Sequence, residues 1–315
     1  MSARYINPYT DFGFKKIFGE EASKHLLKDF LNALLPASAQ ITNLSFKNAE
    51  QLGQSEIDRR AIFDIYCENQ NGEKFIVELQ KAKQNYFKDR TVFYSTFPIQ
   101  EQADKGNWDF KLQAVYCVGI LDFTFDDYDT EPEKSQVLHT IKLKDQNNKI
   151  FYDKLTYLYL EMPNFRKTED QLSSQLDKWL YFIKNLENCS AIPHIFGDEE
   201  IFQSAFETAE LAQLKPEDHS RYQHSLKIYR DIKNVIDTAY DEGKLEGHLE
   251  GKAEGLKEGE AKGKAKGKAE GKAEGLKEGE AKGKAEIARV MKAQGLDSLF
   301  ISNITELSIT EIDQL

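Results

Sequence analysis

No run of about 18 apolar residues occurs in the 315-residue chain, so no segment of it is a transmembrane helix by length. Cysteine is scarce. Cys67, Cys117 and Cys189 stand far apart and form no CxxC pair, which argues against a disulfide framework and against a zinc cluster. The six histidines show no HExxH-like spacing. The opening MSARYINPYTDFGF lacks the apolar segment of a secretory signal, and a reduced, cytoplasmic setting with no membrane partner is expected. A basic excess is also missing. The 42 Lys and Arg against 53 Asp and Glu give a net charge of −11, whereas nucleic-acid binders usually carry a basic footprint. Charge acts locally, however, and Lys81, Lys83, Lys88 and Arg90 fall close together. Each of these reads equally well as part of a solvated helix face.

A hydrophobic content of 40 % supports a real core in the first two-thirds. The most informative stretch is Ala61–Gln80, AIFDIYCENQNGEKFIVELQ. Its two halves alternate as pleated strands do, yet Asp64, Glu78 and Gln80 sit inside otherwise apolar runs. A carboxylate buried in a strand is costly unless a partner or a metal neutralises it. Asn71-Gly72 marks a hairpin. A two-residue turn would set Asp64 opposite Leu79. A three-residue loop of Gln70, Asn71 and Gly72, with Gly72 left-handed, pairs Asn69 with Glu73. It then sets Asp64 opposite Glu78 and Ile62 opposite Gln80 on one face. The three-residue loop is the prediction.

Asp64 followed by Glu78-Leu79-Gln80 resembles the D…(E/D)-x-K signature of the PD-(D/E)XK nuclease superfamily, with Gln in place of Lys. The bare spacing is weak evidence. The ordered set DFGFKKIFG (Asp11–Gly19), IFDIYC, FIVELQ, YFKDRTVFYST (Tyr86–Thr96), VYCVGILDF (Val115–Phe123) and DKWLYFIKN (Asp177–Asn185) is far more specific. Together with the glycine-repeat tail it resembles the Rpn (recombination-promoting nuclease) family of transposase-related proteins over nearly the whole chain. The resemblance implies an α/β, restriction-endonuclease-like mixed sheet flanked by helices. It also implies Mg²⁺, with Mn²⁺ as an alternative, held by Asp64, Glu78 and the Leu79 carbonyl, and DNA as substrate in recombination. Catalytic residues would be Asp64, Glu78 and Gln80. The Gln80 amide can orient a water but carries no charge and cannot serve as a base.

In chain order, Asn7–Leu35 reads as helix, with Thr10 or Asp11 as cap. Asp11 and Lys15 lie one turn apart, either as auxiliary site residues or as an i,i+4 ion pair. Lys81–Thr96 reads as a second helix that places Arg90 and Tyr94 on one face. Arg90 suits bidentate phosphate contact and Tyr94 stacking; the structural alternatives are a pair with Asp89 or Glu101 and a core position. The apolar run Ala114–Leu121 fits a strand covered on both faces, making a β-α-β crossover with the hairpin. Val137–Leu143 and Leu155–Glu161 read as strands. Leu172–Leu186, Glu199–Leu214 and Glu217–Asp241 read as helices, with Trp179, Tyr181 and Phe182 packing them on the sheet.

From Gly243 to Gly283 glycine recurs at every fourth position, and GKAEGLKEGEAKGKA appears twice, at Gly251–Ala265 and Gly271–Ala285. Eleven interior glycines cost a helix roughly 10 kcal/mol, and Glu-Lys pairs return a few tenths each. The reading is a helix formed on pairing with a second chain, hence a homodimer through the C-terminal tail; a flexible linker is the other option. The expected organisation is a nuclease-like domain at 1–165, a packed helical extension at 166–242, the repeat at 243–285, and a small helix-turn-helix-like unit at 286–315. Gly295 can end one helix of that unit, and Ser308 with Glu311 can cap another. The functional expectation is a metal-dependent DNA endonuclease. The alternative is a catalytically degenerate nuclease fold that serves as a DNA- or protein-binding regulatory module.

Overall fold

Gly72 sets the register of the central hairpin. In the computed structural model its φ is +75°, the left-handed conformation that glycine adopts without a Cβ penalty. The Gly72 N–H donates to the Asn69 carbonyl at 3.1 Å, and the Asn69 N–H donates to Glu73 at 3.0 Å. The loop is therefore the three-residue one. Strand β4 (Ile65–Asn69) pairs antiparallel with β5 (Lys74–Gln80), Ile65 opposite Val77 and Glu68 opposite Lys74. The structure describes residues 3–51, 61–103, 109–127, 130–197 and 199–315.

Around the hairpin the chain builds a six-stranded mixed sheet, ordered β1-β4-β5-β6-β8-β7. Here β1 is Leu44–Phe46, β6 Val115–Leu121, β7 Leu138–Lys144 and β8 Ile150–Glu161. Strands β5, β6 and β8 run parallel, while β1 and β7 close the edges antiparallel. A separate pair, β2 (Glu50–Gln51) with β3 (Ala61–Ile62), stands outside the sheet. This corrects one expectation. Ile62 does not face Gln80 but pairs with Glu50, because the strand breaks at Phe63 and Asp64 and the chain leaves the sheet there.

One sheet face carries Ile65, Cys67, Phe75, Val77 and Leu79, buried against α1 (Asp11–Phe18), α2 (Lys24–Leu34), α4 (Gln175–Asn185) and α5 (Glu200–Thr208). Trp179 is fully buried there, 4.8 Å from the Phe202 ring, and its indole N–H donates to Asp29 at 2.7 Å. Phe182 is buried beside it, whereas Tyr181 is half-buried. The other face carries Tyr66 and Ile76 under α3 (Phe87–Gln100).

Several helix boundaries differ from the sequence reading: α5 ends at Thr208 rather than Leu214, and the helix expected to end at Asp241 continues to Ala293. The first helix breaks into α1 and α2 around Gly19, whose N–H caps α1 by donating to the Lys15 carbonyl at 2.7 Å. Helix α3 starts at Phe87 rather than Lys81, preceded by Tyr86 at φ +62°. A left-handed non-glycine residue is a poor position from which to propagate a helix.

The chain forms two compact units, Met1–Ile236 and Asp237–Leu315. Helix α6 runs from Pro216 to Ala293, so the repeat is helical throughout, with open space around each of its glycines. In the second unit, Ala288 packs with Ile301 of α7 (Ser298–Thr305) and Ile312 of α8 (Ile309–Asp313). Gly295 at φ +77° ends α6, and Ser308 and Glu311 form the expected capping box. Among the described residues no helix is long and apolar enough to cross a membrane, and Cys67, Cys117 and Cys189 are free thiols.

Candidate active site

Asp64 and Glu78 face each other across the end of the hairpin. The Leu79 N–H donates to Asp64 Oδ2 at 2.8 Å, and the Asp64 N–H donates to Glu78 Oε1 at 3.3 Å. Each carboxylate thus anchors the backbone of the other strand through one oxygen. The second oxygen of each, Asp64 Oδ1 and Glu78 Oε2, makes no hydrogen bond among the described residues. In a strand, a residue's N–H and C=O point to the same side. Since the Leu79 N–H reaches Asp64, its carbonyl points toward Asp64 as well and away from β6.

Burial and mutual repulsion strain this pair electrostatically. Burial raises the Glu78 carboxyl to about 8, and the neighbouring Asp64 charge adds to that shift. Asp64 is raised too, chiefly by burial, with the Leu79 N–H bond opposing the shift. Two half-buried carboxylates this close are stable together only if one holds a proton or a cation lies between them.

Lys15 and Asp11 sit on α1 as an ion pair of 2.8 Å, both about half exposed. Thr10, not Asp11, caps this helix, accepting from the Gly13 N–H at 2.9 Å. The pair nevertheless borders the same cleft as Asp64, and both charges act on it.

Arg90 pairs with neither Asp89 nor Glu101, the two structural partners named above. Its terminal nitrogens donate to Gln80 Oε1 and, at 2.6 Å, to Gln84 Oε1. Glu101 is occupied by the Tyr66 hydroxyl. The Gln80 amide nitrogen donates to the Ala82 carbonyl at 2.9 Å, which leaves one N–H of Gln80 uncommitted. Tyr94 packs edge-on to Phe63 at 5.5 Å and lies 5.7 Å from the Arg90 guanidinium. It lines a cavity of only about 20 Å³ beside Glu78.

Lys81 is a residue that the sequence reading left open between a local basic cluster and a solvated helix face. Strand β5 ends at Gln80, and the next side chain turns into the cleft with Asp64, Asp11 and Lys15. Burial lowers its pKa, while Asp11 and Asp64 oppose that shift. Only the replacement of Lys by Gln at position 80, with a Lys following, hinted at this in the sequence.

Among the described residues no group of three His, Cys, Asp or Glu side chains converges as a metal site. Two carboxylates and a carbonyl nonetheless form the hard oxygen set that suits Mg²⁺, an ion that keeps several waters. The residues fit such an ion. They crowd two carboxyl groups together and leave one oxygen of each without a hydrogen bond among the described residues.

No curated protein and no solved structure matches the chain. The profile of the PD-(D/E)XK nuclease family transposases matches residues 8–239, which take in both carboxylates, α3, β6 and the first turns of α6. The chain belongs to the PD-(D/E)XK nuclease family transposases.

Proposed function

We propose that the protein is a metal-dependent DNA endonuclease acting in recombination. The family supplies the nuclease- and transposase-related role. The single observation that carries the finer reading is the apposition of Asp64 and Glu78, each with one oxygen free. These oxygens and the Leu79 carbonyl would hold Mg²⁺ or Mn²⁺. When bound, the ion supplies Lewis acidity, polarising a phosphoryl oxygen and acidifying a water. Glu78 must release its proton for the site to form. Gln80, whose amide oxygen accepts from Arg90, would use its remaining N–H to orient the attacking water. The water oxygen forms the new bond to phosphorus, and the bond to the leaving sugar oxygen breaks. One water proton ends on that oxygen, leaving a phosphate monoester and a free hydroxyl.

Supercoiled plasmid incubated with and without Mg²⁺ tests this. Wild type should nick or linearise it only with the metal, and Asp64→Ala or Glu78→Ala should each abolish cutting while keeping a native dichroism spectrum. Equal cutting by either variant sinks the mechanism. If wild type itself is inert, the degenerate, binding-only reading takes its place. The same proposal includes a homodimer, two copies pairing through the glycine repeat of α6.

A further inference from the structure

Asp64 opens on a cleft of about 840 Å³ in the first unit. In a chain of net charge −11, the described charged residues lining this cleft comprise five Lys or Arg against three Asp or Glu. One wall is the start of α6, locked to α1. The Phe12 N–H donates to Ser225 Oγ at 3.1 Å, and the Asn7 N–H donates to the Tyr222 hydroxyl at 2.9 Å. From that wall Arg221 extends a side chain that is 75 % exposed, its guanidinium 5.8 Å from the Phe12 ring and 3.6 Å from Asp218. At the inner end stands Lys81, half-buried, with no hydrogen bond or ion pair among the described residues. The opposite side of the carboxylate pair has no such room, being closed by Phe87, Tyr94 and Tyr159. A phosphate can therefore reach Asp64 from the α1 and α6 side.

We propose that this cleft holds the phosphodiester backbone of a nucleic-acid strand, Arg221 contacting a phosphate at its outer end and Lys81 the scissile phosphate beside Asp64. Lys81 supplies the positive charge that Gln80 lacks. Its role rests on the hydrolysis proposed above; the binding role of the cleft stands without it.

Anisotropy of labelled DNA and RNA oligonucleotides, measured on the full chain in chelator across a salt series, tests the cleft. Arg221→Ala should weaken binding about fivefold to tenfold and flatten the salt dependence by about one counterion. Unchanged affinity and slope in a variant that melts like wild type, or no binding by wild type to either strand, overturns the cleft. Single-turnover cleavage in Mg²⁺ tests Lys81. Lys81→Met should slow it about 100-fold, more than it weakens binding, and Lys81→Arg should recover part of the rate. Full-speed cleavage by Lys81→Met, with Asp64→Ala inactive, removes Lys81 alone. Inert wild type removes the hydrolytic reading and with it the Lys81 role, while the binding measurements still decide the cleft.

Discussion

Glu78 carries the clearest electrostatic signature among the candidate residues. Its carboxyl ionises near 8 in the fold instead of near 4.5, so between those values the folded chain keeps a proton that the unfolded chain has released. Native protein then binds more protons than unfolded protein, and stability falls as pH rises through that window. Metal-free protein should accordingly melt at a lower temperature at pH 8.5 than at pH 6. The Glu78→Gln variant, neutral at both, should lose most of the part of that slope that Glu78 supplies. Calorimetric scans at the two pH values check this; an identical slope in the variant contradicts it. A divalent ion should reverse the trend, because it binds the ionised form and stabilises the fold by mass action.

At the scale of elements, two glycines hold the site together. Ala at Gly72 must adopt φ +75°, costing about 1–2 kcal/mol and loosening the register that brings Asp64 to Glu78. At Gly13 a Cβ would come 2.2 Å from the Asn7 carbonyl oxygen, so Gly13→Ala should push α1 off its seat at about 1–3 kcal/mol. Both variants should melt lower, and Gly13→Ala should also weaken oligonucleotide binding, since α1 forms a wall of the cleft. A Gly13→Ala protein with wild-type stability contradicts this packing. Much of this level was legible in the sequence. Period-two alternation around Asn71-Gly72 gave the hairpin and its register, and the apolar run to Leu121 gave the parallel partner strand. What stayed hidden were contacts set by the fold's closure. Nothing local marks where strand β5 stops, so the direction of Lys81 could not be read. Arg221 and Ser225 lie more than 200 residues from Phe12 in sequence, and the first turns of α6 show no pattern that announces a wall. Arg90 was legible as a helix-face residue, yet its partner Gln80 was not, because amide-guanidinium contacts leave no periodic trace.

At the scale of the molecule, the glycine repeat lies within the single helix α6. Its glycines have open space on every side, and its ion pairs, such as Glu258–Lys262 at 3.0 Å, are exposed, each worth a few tenths of a kcal/mol, about 0.3–0.5. Among the described residues nothing lies within 4 Å of a Cβ built at these glycines, and a second copy is the proposed partner. Sedimentation of the full chain should show concentration-dependent dimers, and truncation after Ile236 should leave a monomer that still melts cooperatively. A full-length chain monomeric at every concentration contradicts that assembly. The account as a whole depends on two carboxylates gripping one cation. Titration calorimetry of the metal-free protein with Mn²⁺ near pH 7 tests this most directly, run in two buffers of different ionisation heat. Wild type should bind the ion and release a proton from the pair, and Asp64→Ala should lose both signals. Unaltered Mn²⁺ affinity in Asp64→Ala, or none in wild type, would contradict it.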